Sequence, residues 1–129
     1  MKGSKEKRMS VLLLVLICVT IGVFGQLAMK MGMNTIGFIT LRDIFSSKIF
    51  SIIFQKYVFI GIMLYVLSTL IWLVVLSQEE LSFVYPLISI AYIITAILSK
   101  FLFNESLTMF RFFGILLICG GVYLIVLKI

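Results

Sequence analysis

The chain has 129 residues, of which 63% are hydrophobic and 12% charged, and it carries a formal net charge of +6. Soluble domains are about 45–50% apolar and about 25% charged, so this composition excludes an ordinary soluble protein. The basic residues sit in short segments beside apolar runs, which indicates contact with anionic lipid head groups rather than with nucleic acid.

Four apolar runs are each near the length of about 20 residues that a helix needs to cross the hydrocarbon core. They cover residues 11–29, 58–76, 81–103 and 107–127. The sequence therefore predicts an all-α, polytopic membrane protein with four transmembrane helices. A basic arm at residues 1–10 precedes a single transmembrane domain at residues 11–129.

The basic arm sets the predicted orientation. By the positive-inside rule it lies in the cytoplasm, because the first helix usually dominates. Counted over the whole chain with the arm included, the side of the N-terminus carries five Lys and Arg residues, Lys128 among them, and the other side carries six, so insertion in both orientations stays open. The cations of the arm are Lys2, Lys5, Lys7 and Arg8.

The first span ends in a face that combines small, polar and charged residues. Gly22, Gln26 and Lys30 are four residues apart and share this face with Gly25. Glycines allow a neighbouring helix to approach closely, and Gln26 would supply a buried hydrogen-bonding group. Lys30 has two interpretations: an anchor that reaches the membrane surface, or a cation at a cavity mouth that meets an anionic head group.

The link at residues 31–57 is too long and too apolar for a simple turn. Within it, residues 41–54 alternate Ile, Phe and Leu with Arg42, Asp43, Ser46, Ser47 and Lys48. This pattern predicts a short amphipathic helix at the membrane interface, acting either as a plain anchor or as a lip over a cavity.

The second span also has a specialised face, formed by Gly61, Tyr65, Ser68 and Trp72. Tyr and Trp often mark the membrane interface, but Tyr65 and Trp72 lie well inside this span. The face is interpreted either as a packing surface for another helix or as the lining of a cavity.

The third span carries a polar stripe on an apolar helix. Its residues recur every three or four positions, which places them on one continuous face. In lipid, such a face must turn toward other protein or a hydrated cavity. Pro86 lies in the first turns, where it can tilt or kink the helix. The stripe consists of Ser82, Tyr85, Ser89, Tyr92, Ala96 and Ser99.

The fourth span begins after Thr108, a candidate helix cap, and contains Gly114, Gly120 and Gly121. Small residues at such spacing let two membrane helices pack backbone to backbone. The sequence leaves open whether the packing partner is another span or another subunit.

Catalytic chemistry has little support in this sequence. Every acidic residue lies in an arm or turn, the chain has no His, and no metal-ligand cluster, phosphate-binding loop or nucleophile–base pair is recognisable. We therefore expect neither an enzyme nor a cofactor, and proton coupling through a membrane acid is not predicted. The polar faces suit a neutral or anionic head group. The acidic residues are Glu6, Asp43, Glu79, Glu80 and Glu105.

Three segments carry a resemblance to a known family. They are GQLAMK in the first span, IWLVVLSQEELSFVYPLIS from the second span into the third, and FNESLTMFRFFGILLICGGVYLI at the end. In order and spacing they resemble the drug/metabolite transporter superfamily, in its short four-helix branch, and the last resembles the final helix of EamA-type repeats. The likeness is strongest to the small paired subunits that flip aminoarabinose-phosphoundecaprenol across the bacterial inner membrane.

The resemblance implies an inner-membrane transporter that works as a homodimer or heterodimer and moves a lipid-linked sugar or similar amphiphile. It makes Tyr85 a substrate-site residue and residues 114–122 a dimer contact. From the polar faces themselves we predict that the head group contacts Tyr85, Ser89 and Tyr92 and that Gln26 and Lys30 hold the phosphate. Tyr65 and Trp72 are predicted to belong to the same substrate site.

Two alternatives stay open: an exporter of the small multidrug resistance type, and an accessory subunit that transports nothing. The small multidrug resistance relatives carry an essential Glu eight residues before the Lys of helix 1, where this sequence has Gly22. That difference argues against proton-coupled drug export.

Overall fold

The computed structural model of the protein describes residues 2–127, so Lys128 and the last residue of the predicted domain lie outside it. Within this range the chain forms helices and no strand. The helices are α1 (Lys2–Ile36), α2 (Leu41–Ile44), α3 (Lys48–Ile53), α4 (Lys56–Gln78), α5 (Leu81–Leu87), α6 (Ile90–Phe103) and α7 (Met109–Val126).

Four helical segments are long and apolar enough to cross a membrane, as the sequence predicts: α1, α4, α5 with α6, and α7. The first exceeds the predicted span at both ends, because the residues of the basic arm form its opening turns and it continues to Ile36. The last begins at Met109, where the Thr108 hydroxyl accepts a hydrogen bond from the Arg111 N–H at 3.3 Å. Thr108 is therefore the helix cap that the sequence predicts.

The closest packing in the protein joins α1 and α4 as antiparallel neighbours. A Cβ atom added at Gly25 would lie 2.9 Å from the Gly61 carbonyl oxygen, and one added at Gly61 would lie 2.8 Å from the Met29 backbone nitrogen. Both distances are too short for a real Cβ, so only glycine permits this approach. The glycines of the first two spans thus act as the sequence predicts.

A second face of α1 forms the apolar core. Its buried residues recur every four positions, which aligns them along one side of the helix. They contact Val75 of α4 and Val84 and Leu87 of α5. The α1 residues of this core are Val11, Val15, Val19, Val23 and Leu27.

The third span is interrupted at Ile88 and Ser89, between α5 and α6. Pro86 has no N–H to continue the α-helical ladder. Beyond it, Ile88 N–H bonds to the Tyr85 carbonyl and Ser89 N–H to the Pro86 carbonyl, each three residues back. This tighter winding has about 3.0 residues per turn, so it rotates the residues that follow relative to α5.

Contacts at the two ends of the bundle show which connecting segments lie on the same side. At one end, the Arg8 guanidinium lies over the Phe83 ring, 5.7 Å from its centroid, beside the turn between α4 and α5. At the other, the Lys30 ammonium meets Glu105 in the turn between α6 and α7. Successive spans therefore run in opposite directions, while the cytoplasmic assignment of the N-terminal end stays a prediction.

The link contains two short helices, α2 and α3, in place of the single amphipathic helix expected over residues 41–54. The Thr40 N–H and hydroxyl both donate to Asp43 Oδ2, at 2.8 and 3.1 Å. The Thr40 backbone hydrogen bond is the main reason that the pKa of the Asp43 carboxyl lies below its usual value. Lys48 lies 3.8 Å from the same carboxylate, so local polar contacts shape the link.

The contact between α1 and α4 gives a test of the fold. We expect Gly61→Ala to destabilise the protein by about 1–3 kcal/mol, since the added methyl group forces two backbones apart. Gly3→Ala is the control, because a Cβ at Gly3 meets nothing within 4 Å and Gly3 lies in the basic arm, away from the contact between α1 and α4. Unfolding of both variants in mixed micelles, followed by circular dichroism, measures the difference. Equal stability of the two variants would contradict the described packing.

Candidate substrate-binding cavities

A cavity of about 280 Å³ lies beside the middle of α1. Three aromatic side chains line it, Tyr65 and Trp72 from α4 and Tyr85 from α5, and we call it the aromatic cavity. The special face of α4 therefore has two roles. Gly61 and Ser68 are buried against α1. Tyr65 and Trp72 line the aromatic cavity together with Tyr85 of the third span, and Ser68 also borders it.

Reciprocal hydrogen bonds fix the wall of the aromatic cavity between α1 and α4. The Ser68 hydroxyl donates to the Cys18 carbonyl oxygen at 2.8 Å, and the Cys18 thiol donates to the Ser68 carbonyl oxygen at 3.1 Å. Ser68 is only 8% exposed. Since an unpaired polar group inside a membrane is costly, these bonds favour one register of α4 on α1 and so direct its aromatic residues.

A larger cavity, of about 570 Å³, lies between α1, α6, α7 and the turn that joins the last two helices. We call it the charged cavity, because Glu105 and Arg111 are the charged residues in its lining. Its neutral polar lining comes from Gln26, Tyr92, Thr95, Ser99 and Ser106.

The charges at the charged cavity form an asymmetric group. The Lys30 Nζ lies 4.0 Å from Glu105 Oε1, and the two side chains are 53% and 45% exposed. Lys30 does not line the cavity itself. The Arg111 Nη1 donates to the Ser106 carbonyl oxygen at 3.0 Å. The cavity wall therefore presents one arginine and one carboxylate, with Lys30 behind the carboxylate.

Gln26 links the two cavities. Its side chain lines both of them, as do those of Ile88 and Ala91. The sequence predicts a buried Gln26, but the structure leaves it exposed toward these spaces. Its amide has two donors and a carbonyl acceptor, which can bind a polar group in either cavity.

The polar stripe of the third span is split, so the prediction of one continuous face is wrong. Tyr85 lines the aromatic cavity, whereas Tyr92, Ala96 and Ser99 line the charged cavity. Ser89 lies in a separate groove between α6 and α7, beside Cys119 and Tyr123, and its hydroxyl donates to the Pro86 carbonyl oxygen. The cause is the turn after Pro86, since ideal helical periodicity does not continue across it.

The glycines of α7 have no packing partner within the protomer. Nothing among residues 2–127 lies within 4 Å of a Cβ atom built at Gly114, Gly120 or Gly121. Gly114 borders the charged cavity. The sequence allows either another span or another subunit as the packing partner of this face. Among residues 2–127, no other span packs closely against these glycines.

The sequence model of the EamA-like transporter family matches residues 8–127 of the chain. This match includes all four spans and both cavities. The chain belongs to the EamA-like transporter family. It is a multi-pass membrane protein, and the resemblance read from its three segments is confirmed.

Curated relatives of this EamA-like chain include proteins named as probable 4-amino-4-deoxy-L-arabinose-phosphoundecaprenol flippase subunits. The ArnF subunit of Proteus mirabilis is 36% identical over 106 residues, which are 78% of this chain and 80% of the relative. The ArnF subunit of Shewanella sediminis is 31% identical over 127 residues, which are 91% of this chain and 88% of the relative. The ArnE subunit of Pseudomonas fluorescens strain Pf0-1 is 38% identical over 56 residues, which are 43% of this chain and 49% of the relative. The chain thus spans about half the length of some curated relatives that it matches. No solved structure matches.

Sequence reasoning missed four polar side chains of the charged cavity in this EamA-like protein: Thr95, Glu105, Ser106 and Arg111. A role in the site was considered only for acidic residues within the spans, whereas Glu105 lies in a turn. Asn104, with φ of 53°, ends α6 in a left-handed conformation and reverses the chain there. The pattern Asn-Glu-Ser before a capping Thr signals such a turn, but it does not show that the turn borders a cavity.

Proposed function

We propose that the chain is one subunit of a dimeric flippase that moves a lipid-phosphate-linked sugar, or a similar amphiphile, across the cytoplasmic membrane. The proposal is supported by family membership and by relatives named as flippase subunits. The observation that carries it is the pair of cavities, which meet at Gln26.

The two cavities differ in a way that suits an amphiphile with a sugar and a phosphate. The aromatic cavity offers the rings of Tyr65, Trp72 and Tyr85, which can contact apolar sugar faces while the tyrosine hydroxyls form hydrogen bonds. The charged cavity offers Arg111, whose guanidinium suits phosphate. In this proposal Gln26 and Tyr92 contact the part of the head group that lies between the two cavities. Ser89 does not contact the head group and acts only through the turn that it stabilises.

One tyrosine in the lining of each cavity is accessible in the protomer. Tyr85 is 63% exposed and Tyr92 is 59% exposed. An amphiphile needs such open access because its isoprenoid tail stays in the bilayer while only the head group enters a polar space. The movement is a transfer between leaflets and requires no bond to form or break, so we assign no catalytic residue.

A dimer is part of the proposal. The protomer leaves the Gly120 and Gly121 face of α7 without a partner, and small residues favour close packing between membrane helices. The relatives are named as subunits ArnE and ArnF. A second copy or a similar small subunit would complete the enclosure of the cavities.

The alternative of a proton-coupled multidrug exporter finds less support. Such a transporter needs an acid within the membrane, and the position that corresponds to the acid of those relatives is Gly22. A Cβ atom at Gly22 would lie 3.1 Å from the Ser68 hydroxyl, so the local packing leaves little room for a larger side chain.

Removal of the cavity tyrosines tests the site. We expect Tyr85→Ala and Tyr92→Ala each to slow head-group translocation in reconstituted vesicles about tenfold, because each loses a ring contact and a hydrogen bond. Tyr57→Ala is the control, since Tyr57 lies outside both cavities. Binding can be followed on the emission of Trp72, the single Trp of the chain. Unchanged translocation in both cavity variants would show that the site is assigned wrongly.

The α7 face tests the dimer. We expect the double variant Gly120→Leu and Gly121→Leu to reduce dimer formation while the protomer keeps its helical content, because the leucine side chains block close approach. Native mass spectrometry of the gently purified protein measures the subunit count. A dimer population equal to that of the unaltered protein would place the contact elsewhere.

A further inference from the structure

An ion pair at the end of the bundle opposite the basic arm joins α1 to the turn between α6 and α7. We call this the far end. There the Lys30 Nζ lies 4.0 Å from Glu105 Oε1. Glu105 lines the charged cavity, whereas Lys30 does not. In this arrangement Lys30 acts on the cavity only through Glu105.

The α1 side of this ion pair is firmly held. Lys30 lies between two glycines, Gly25 and Gly32, at which α1 packs directly on α4. A Cβ atom added at Gly25 would lie 2.9 Å from the Gly61 carbonyl oxygen, and one added at Gly32 would lie 2.8 Å from the Val58 backbone nitrogen. Helices packed this closely resist displacement, because neither can shift without the other. Lys30 therefore extends from a fixed support.

The turn side of the ion pair is held less firmly. Residues 104–108 join α6 to α7 without helical structure, and neither of these two helices has a buried residue in the protomer. The turn is bound to α7 itself, because the Arg111 Nη1 donates to the Ser106 carbonyl oxygen at 3.0 Å and Thr108 caps the helix. The turn and the start of α7 can therefore move together relative to α1.

The ion pair is weak enough to open. Its 4.0 Å separation is longer than that of a hydrogen-bonded ion pair, and the Lys30 and Glu105 side chains are 53% and 45% exposed. Pairs with such exposure contribute little to stability, since water stabilises the separated charges almost as well. Residues 2–127 form one further ion pair, Asp43 with Lys48, and it lies within the link, so it does not hold the turn.

We propose that the Lys30–Glu105 ion pair is a gate at the far end of the charged cavity. While the ion pair is formed, it holds the α6–α7 turn against α1 and restricts access to the cavity from the membrane surface at that end. When it breaks, the turn and the start of α7 move away from α1 and the cavity opens. The proposal rests on the proposed function and deepens it, since alternating access requires a site that opens to one side at a time. Lys30 and Glu105 are thus positioning residues.

The reactivity of a cysteine inside the cavity measures this opening without any transported lipid. Ser99 lines the charged cavity, so Ser99→Cys places a thiol there with little change in size. The reporter protein also carries Cys119→Ser, while Cys18 is only 5% exposed and donates to the Ser68 carbonyl oxygen. The full-length protein, with whatever partner co-purifies, is placed in phosphatidylcholine nanodiscs. The measured quantity is the rate at which the thiol reacts with a methanethiosulfonate.

We expect Lys30→Gln and Glu105→Gln each to speed this reaction about threefold, because each removes the attraction that favours the closed state. Salt at about 1 M should speed the reaction when Lys30 and Glu105 are both present and not in Lys30→Gln, since it screens the two charges. The exchanged pair, Lys30→Glu with Glu105→Lys, should restore the slow rate. A contact made only by size or shape would not be restored in this way.

Matched controls separate opening from other effects. A cationic and an anionic methanethiosulfonate should be accelerated alike, whereas a change of local charge alone would accelerate one and slow the other. Arg8→Gln removes the α1 cation that lies over the Phe83 ring at the opposite end, and it should leave the rate unchanged. A second reporter, Ser82→Cys, lines a separate cavity beside Arg8 and should react equally in all gate variants. Helical content measured by circular dichroism shows that each variant is folded.

Equal rates in the unaltered reporter, Lys30→Gln and Glu105→Gln would overturn the gate. So would an exchanged pair that reacts as fast as the single variants, or opposite effects on the two reagents. Failure of the proposed function gives a different result. The expected reaction rates without any head-group translocation in vesicles would support the gate and overturn the flippase. Translocation that depends on Tyr85 and Tyr92, together with equal reaction rates in all variants, would support the flippase and overturn the gate.

Discussion

The backbone contact between α1 and α4 is the constraint on which the rest of the structure depends. Gly25 and Gly61 bring the two helices so close that a methyl group at either position would strike the opposite backbone. The Cys18 and Ser68 hydrogen bonds lie on the same seam and hold its register. The other helices build on this pair: α6 packs on α1, α5 on α4, and α7 on α5 and α6. Residues of α1 line both cavities.

The turn after Pro86 decides how the third span uses its polar residues. A straight helix would place them all in one space, but the tighter winding at Ile88 and Ser89 divides them. Tyr85 joins the aromatic residues of α4, while Tyr92 joins the charged turn after α6. Tyr85 before the turn and Tyr92 after it therefore line two chemically different cavities that share Gln26, and the proposed transport of an amphiphile uses both cavities.

Electrostatics at the charged cavity follow from the cost of placing charge in lipid. The spans predicted from the sequence are free of acids, and Glu105 lies in the turn after α6, where its side chain is 45% exposed. The same turn brings Glu105 next to Lys30 of α1 and into the cavity that Arg111 borders. Opposite charges are thus available to a bound head group without a charged residue at the centre of the bilayer.

The sequence by itself determined the class, the four spans, the Thr108 cap and the close approach at Gly25, because hydrophobic length, capping chemistry and side-chain size are local properties. Only the tertiary structure decided that Tyr85 and Tyr92 lie in different cavities, that Gln26 joins them and that Glu105 pairs with Lys30. Those relations depend on the turn after Pro86 and on contacts between residues as far apart in the sequence as Lys30 and Glu105. The periodicity of residues within one helix cannot predict such contacts.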